Sequence, residues 1–176
     1  KLNNLKVVED ACMGIGASLK GKSPGTFGQV SAFSLHPLKS LNAMGDGGAV
    51  VTNDKKIYKW LLKYRNHGMI NRNTIEIWGV NKRMQPLQCV VALWGLKKIK
   101  EVIKIRNNNA DYYDRKLSKF KNFIIVPERV EGFTETFALY MVLCKNRNKL
   151  KAFLEKKNIE VKIHYPKALN NQPAFK

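Results

Sequence analysis

The stretch Ser31-Ala32-Phe33-Ser34-Leu35-His36-Pro37-Leu38-Lys39, followed by Gly45-Asp46-Gly47-Gly48-Ala49-Val50-Val51-Thr52, decides how this chain is read. Ser31–Leu35 predicts a strand, and Pro37 forbids its continuation because it cannot donate to a ladder. Gly45–Gly48 predicts a turn, with a further strand over Gly48–Thr52. Upstream, Lys6–Glu9 predicts a short buried strand that runs into the small-residue stretch Asp10-Ala11-Cys12-Met13-Gly14. Downstream, Asn53-Asp54 is placed to cap a helix over Lys55–Asn66, whose Ile57, Trp60, Leu61 and Tyr64 fall at i, i+3, i+4 and i+7.

Further along, helical runs are predicted over Pro86–Lys100 and Glu101–Ser118. A tail follows with strands over Phe123–Val126, Thr136–Cys144 and Glu160–His164 and a helix over Asn148–Lys157. Strands mixed with helices and ending in a small βαβ-like tail predict an α/β protein in two parts, 1–105 and 106–176. There is no internal repeat.

Composition excludes several classes. The 176 residues are 44% hydrophobic, enough for a core and unlike a disordered chain. No apolar run approaches the roughly 20 residues of a membrane span, so no membrane partner is expected. The net charge of +19 first suggests nucleic acid. Only seven of the 32 basic residues are Arg, however, and the lysines are dispersed along the chain, so a solvated Lys-rich surface is expected and no nucleic-acid partner. Cys12, Cys89 and Cys144 are odd in number and far apart, which fits a reducing, cytoplasmic setting. His36, His67 and His164 have no ligand partner at metal spacing, so no metal is expected.

Two motifs invite chemistry. Gly16–Ser23 (GASLKGKS) matches the phosphate-loop pattern G-x-x-x-x-G-K-[ST]. That mechanism needs a helix opening at the Lys, and Pro24, Gly25 and Gly28 forbid one, so the match is read as chance. The second constellation is Ser34 and Lys39 just past one strand and Asp10 at the end of another. Ligands gather beyond the carboxyl ends of strands in open α/β sheets. An amine, a carboxylate and a hydroxyl meeting there suit pyridoxal phosphate: the amine links the cofactor, the carboxylate keeps its ring nitrogen protonated, and the hydroxyl holds phosphate.

The surrounding words resemble the DegT/DnrJ/StrS sugar aminotransferases, a fold-type I family that uses pyridoxal 5'-phosphate. The resemblance lies in Val8-Glu9-Asp10-Ala11, Gly25-Thr26-Phe27-Gly28, Ala32–Lys39 and Gly45–Asp54. It continues through Arg65-Asn66-His67-Gly68, Gly79–Met84, Leu87-Gln88, His164-Tyr165-Pro166 and Gln172–Phe175. It implies part of a fold-type I large domain plus a smaller α/β C-terminal domain. Lys39 becomes the lysine that links the cofactor and carries protons, Asp10 the partner of the pyridinium nitrogen, and Ser34 a phosphate ligand. Asn81 would reach the phosphate of a neighbouring subunit's cofactor, which implies a homodimer with shared sites. His164 and Tyr165 would meet the substrate, a nucleotide-linked keto-sugar, with glutamate the expected amino donor and C3 the preferred carbon.

The chain departs from the family pattern at three places. Met13 stands where a Gln usually bonds the cofactor's ring oxygen, Pro86 replaces an acidic residue, and Ala138 replaces a His. The family also extends at both ends beyond these words. The chain is therefore expected to be a piece of a longer subunit that alone holds cofactor weakly and lacks turnover. Two other roles stay open: a regulatory relative that has lost activity, which Met13 allows, and a sugar dehydratase, which Lys39 opposes because such enzymes carry His there.

Overall fold

A computed structural model describes residues 3–175. In chain order it contains β1 (Val8–Asp10), β2 (Ser18–Leu19), β3 (Val30–Ser34), β4 (Gly48–Val51) and α1 (Lys55–Tyr64). These are followed by β5 (Met69–Asn71), β6 (Thr74–Ile75), the long α2 (Pro86–Leu117), β7 (Ile124–Ile125), β8 (Phe133–Thr134), β9 (Leu143–Cys144) and α3 (Arg147–Lys156). Contacts divide the chain into two compact units, Lys1–Lys116 with Glu128–Tyr140, and Leu117–Pro127 with Met141–Lys176.

The first unit is organised by a three-stranded sheet in the order β1-β3-β4. β1 and β3 are parallel, with Asp10 opposite Ala32; β3 and β4 are antiparallel, with Ser34 opposite Gly48. Just past β3 the chain folds over itself: Leu35 N–H donates to the Gly47 carbonyl at 2.8 Å, and Ala43 N–H to the Leu35 carbonyl at 2.9 Å. Leu35, Leu41 and Ala43 form the buried core there, and Ile15, Met84, Ala92 and Ile99 pack against it. A Cβ on Gly47 would lie 2.9 Å from Met84 Sδ, so a larger residue there would push the Met84 side chain aside. Gln88 of α2 ties the turn down by donating from Nε2 to the Asp46 carbonyl at 3.0 Å.

Glu9 organises the loop ahead of β3. Its carboxylate accepts from the amides of Gly25 at 2.8 Å, Phe27 at 2.9 Å and Gly28 at 2.6 Å. Asp54 caps α1 by accepting from the amides of Lys56 and Ile57, and Trp60 stacks on Tyr64 one turn later at 4.6 Å. Beyond α1 the stretch around Gly79–Lys82 folds back on the helix end: Val80 N–H donates to Tyr64 O, and Lys82 N–H to Arg65 O.

The structure corrects several expectations. The two helical runs over 86–118 are one helix of 32 residues, because neither Gly nor Pro interrupts the join at Lys100-Glu101. The expected strand over Thr136–Cys144 survives only as β9. The carbonyls of Glu135, Phe137 and Ala138 accept instead from the side chains of Asn107 and Arg106 on α2, so that stretch has no ladder to join. No strand covers Glu160–His164. The tail is not βαβ either, since β7 and β9 pair antiparallel ahead of α3. Ser18–Lys22 of the phosphate-loop match is a tight reversal: Leu19 and Lys22 exchange both backbone bonds, with φ of +47° at Lys20 and +78° at Gly21. Both signs are those of a hairpin turn, and no helix follows. β2 pairs with β8, more than a hundred residues away.

The segment that carries β8 is anchored by charge. Asp114 of α2 receives both Nε and Nη2 of Arg129 at 2.9 Å, and the Tyr140 hydroxyl at 2.6 Å. The Arg129 bond holds the Asp114 carboxyl below its usual range. Burial, reinforced by the bond to Asp114, pushes the Tyr140 hydroxyl up to about 12.

Two stability predictions follow from these contacts. Asp114→Ala strands a half-buried guanidinium and a phenol, and chemical denaturation should show a loss of about 2–3 kcal/mol. Glu9 is held below the ordinary carboxylate range by the Gly28 and Gly25 amides and then by Phe27. Its contribution is therefore present above the unfolded pKa and is lost as pH falls through the lower folded one. Glu9→Gln should lower the thermal midpoint at neutral pH and flatten its decline between about pH 5 and pH 3. Parallel wild-type and variant curves across that range would contradict the assignment.

Candidate active site

Because β1 and β3 are parallel, their carboxyl ends deliver Asp10 and Ser34 to the same edge of the sheet. The backbone ladder runs one residue further through Ala11 N–H to Ala32 O at 2.9 Å. The chain then turns, and Cys12 N–H donates to Asp10 Oδ1 at 3.1 Å. Bonds from the Cys12 thiol and amide, with a smaller pull from the Lys39 ammonium, hold the Asp10 carboxyl below its usual range. The same contact, together with burial, pushes the Cys12 thiol up, so this cysteine stays protonated.

Past β3 the sequence Ser34–Lys39 makes a compact turn. His36 N–H donates to Ser34 Oγ at 3.3 Å, Leu38 N–H donates to His36 Nδ1 at 3.2 Å, and Lys39 N–H donates to His36 O at 2.9 Å. Pro37 supplies the fixed φ for the second position of that turn. The reversal sends the Lys39 side chain back over the sheet edge, where Nζ lies 2.9 Å from Met13 Sδ. Cys12, Met13, Ser34, Lys39, Ser40 and Ala138 line a shallow cleft floored by Ile15 and Leu41. The Ser40 hydroxyl is buried there without a hydrogen-bond partner in the protein.

The structure thus brings Lys39, Ser34 and Met13 to one cleft, with Asp10 bonded to the Cys12 of its wall. Asn81 lies elsewhere, on the stretch that caps α1. Arg83 bonds to it from Nε at 3.1 Å and to Asn66 from Nη1 at 3.2 Å. His164 and Tyr165 belong to the second unit, where their rings stack at 4.0 Å and Tyr165 is largely exposed. Cys12 and Ser40, each beside a residue that the motifs single out, also line the cleft. No local motif points to Thr136, whose hydroxyl donates to the Met13 carbonyl at 2.7 Å.

Comparison with known proteins identifies the family and the fold. The model of the DegT/DnrJ/EryC1/StrS aminotransferase family matches residues 1–176. The chain is 35% identical over 176 residues to the dTDP-3-amino-3,6-dideoxy-alpha-D-galactopyranose transaminase of Aneurinibacillus thermoaerophilus, covering 99% of this chain and 48% of the relative. It is 31% identical over 176 residues to a pleiotropic regulatory protein of Geobacillus stearothermophilus, covering 99% and 47%. Its fold superposes on DesV of S. venezuelae, solved in complex with a ketimine intermediate, with a TM-score of 0.94, 31% identity, and coverage of 99% of this chain and 47% of that one. The chain spans about half the length of the curated relatives it matches. With the family's model matching along its whole length and its fold superposing on a solved relative, the chain belongs to the DegT/DnrJ/EryC1/StrS aminotransferase family.

Proposed function

We propose that this chain supplies the lysine-bearing part of a pyridoxal phosphate-dependent aminotransferase. In this reading the enzyme moves an amino group, with glutamate as donor, onto a nucleotide-linked keto-sugar. The observation that carries it is the convergence of the Lys39 amine with the Ser34 hydroxyl, beside the ionised Asp10, where two parallel strands end. The name of the A. thermoaerophilus relative, a dTDP-3-amino sugar transaminase, supports a nucleotide sugar and the choice of C3.

The residues present suit the cofactor, which when bound supplies an electron sink beside the carbon that gains or loses a proton. Lys39 would hold it and then carry that proton on Nζ. Asp10 stays a carboxylate at neutral pH and would keep the ring nitrogen protonated. Ser34 would donate to the phosphate, and Ser40 has an unmet donor in the same cleft. Met13 touches Lys39 Nζ with sulfur, which cannot donate a hydrogen bond to a ring oxygen.

We assign Asn81 to the phosphate of a neighbouring subunit's cofactor, and His164 and Tyr165 to the sugar nucleotide. A homodimer fits the large exposed apolar side chains, which either a partner subunit or the rest of a longer subunit would cover: Trp78 is 95% exposed, and Leu87, Val90 and Trp94 lie bare along one side of α2. The setting proposed is cytoplasmic, in keeping with three free cysteines. Among the described residues no helix is long and apolar enough to cross a membrane.

A regulatory role is the second reading. Met13 in the cleft favours it, as does the likeness to the G. stearothermophilus regulatory protein.

In the complete subunit, incubation with pyridoxal phosphate followed by borohydride should fix the cofactor's mass selectively on Lys39, and Lys39→Ala should abolish that adduct. Adducts spread evenly over surface lysines would overturn the assignment. Met13→Gln restores a donor at the cleft wall, and titration by absorbance should show cofactor binding tightened about 5–10-fold. Unchanged affinity would mean that residue 13 makes no bond to the cofactor.

A further inference from the structure

Thr136 is only 5% exposed, and its hydroxyl reaches across 123 residues of sequence to the Met13 carbonyl at 2.7 Å. The segment that carries it is gripped by α2. Asn107 Nδ2 donates to the Glu135 carbonyl at 2.9 Å, and Arg106 Nη1 donates to the Phe137 carbonyl at 2.6 Å. Further along the helix, Asp114 binds Arg129 and Tyr140 at the two ends of the same segment. Arg129 also lies 4.7 Å over the Phe137 ring and 3.6 Å from Glu135. Thr136 therefore sits between backbone groups on both sides that a helix holds in place.

What Thr136 touches is equally specific. Its partner, Met13, is the residue whose sulfur contacts Lys39 Nζ, and Ala138, two residues further on, lines the same cleft. The turn from Asp10 to Met13 is short, and within its first residues Cys12 bonds back to Asp10 and to Ala32. The Met13 carbonyl is the point at which this turn is tied to the segment gripped by α2. Replacing the hydroxyl with a methyl would leave a part-buried carbonyl without that partner, which favours movement of the turn.

We infer that Thr136 is a positioning residue for Lys39: held by α2, its hydroxyl fixes the Asp10–Met13 turn and thereby sets how the Met13 side chain covers the lysine amine. The inference rests on the reading of Lys39 as the functional amine, but its test needs no cofactor. Thr136 does not reach the reacting atoms itself; it acts through Met13.

The test is trace acetylation of the cofactor-free protein with acetic anhydride, read peptide by peptide by mass spectrometry. Acetylation of Lys39 is expressed relative to that of the exposed lysines. Thr136→Val, close in shape but without the hydroxyl, should raise the relative labelling of Lys39 about threefold or more. Thr136→Ser, which keeps the hydroxyl, should stay near wild type. Asn107→Ala frees the Glu135 carbonyl while leaving Thr136 in place, and should raise the ratio to a smaller extent. A lower thermal midpoint in Thr136→Val with an unchanged Lys39 ratio would reduce Thr136 to a packing residue and overturn the proposal. Should Thr136→Val fail to fold, the Asn107→Ala ratio decides in the same two directions. Borohydride trapping of pyridoxal phosphate reports separately on the aminotransferase reading. A selective rise in acetylation stands even where trapping at Lys39 fails.

Discussion

The parallel pairing of β1 with β3 is the constraint from which the rest of the site follows. It is brief, three residues on the β1 side, yet it decides which atoms can meet. Parallel strands end on the same edge, so Asp10 and Ser34 emerge together although 24 positions separate them. An antiparallel arrangement would have sent them to opposite ends. β4 completes the sheet from the other side, and its antiparallel run returns the chain so that the glycine turn closes over Leu35. The Lys39 turn is held between these two strands and has one direction in which to project.

Much of this was legible in the sequence because the determinants are local. The β3 strand, the Pro37 stop and the glycine turn each announce themselves within ten residues, and so does the Asp54 cap of α1. The phosphate-loop match is set aside on equally local grounds, from Pro24, Gly25 and Gly28 that follow it. What could not be read is what depends on distant partners. The strand expected over Thr136–Cys144 has the composition of one, with Phe137, Leu139, Tyr140, Met141 and Val142 in succession. Its backbone groups are claimed by Asn107 and Arg106, and no window around residue 138 contains that information. The change from apolar to charged character near residue 100 suggests two helices, yet such a change does not break one, and α2 runs through it. For the site the same rule holds: Lys39, Asp10 and Ser34 stand in recognisable words, whereas Thr136 enters through a bond that spans most of the chain.

The cleft combines polar and soft groups in an unusual proportion. Bonds from Cys12 and, more weakly, the nearby Lys39 ammonium favour the charged form of the Asp10 carboxylate. Against that background Met13 is the odd member, a polarisable thioether against an amine. A thioether adapts its shape readily and imposes little direction on its neighbours. The fixed geometry around it therefore has to come from the backbone, which is where the bonds at Ala11, Cys12 and Met13 are found.

Glu9 and Asp10 are adjacent carboxylates that serve opposite faces of one strand. Side chains alternate along β1, so Glu9 points into the amides of Gly25, Phe27 and Gly28 while Asp10 turns the other way and binds Cys12 of the cleft wall. A slip of one residue in the pairing of β1 with β3 would exchange the two. The shorter Asp10 would then face a nest shaped for a longer side chain, and the longer Glu9 would intrude on the cleft. The two acids thus act as a register key: the error that would spoil the site also unmakes the loop next to it.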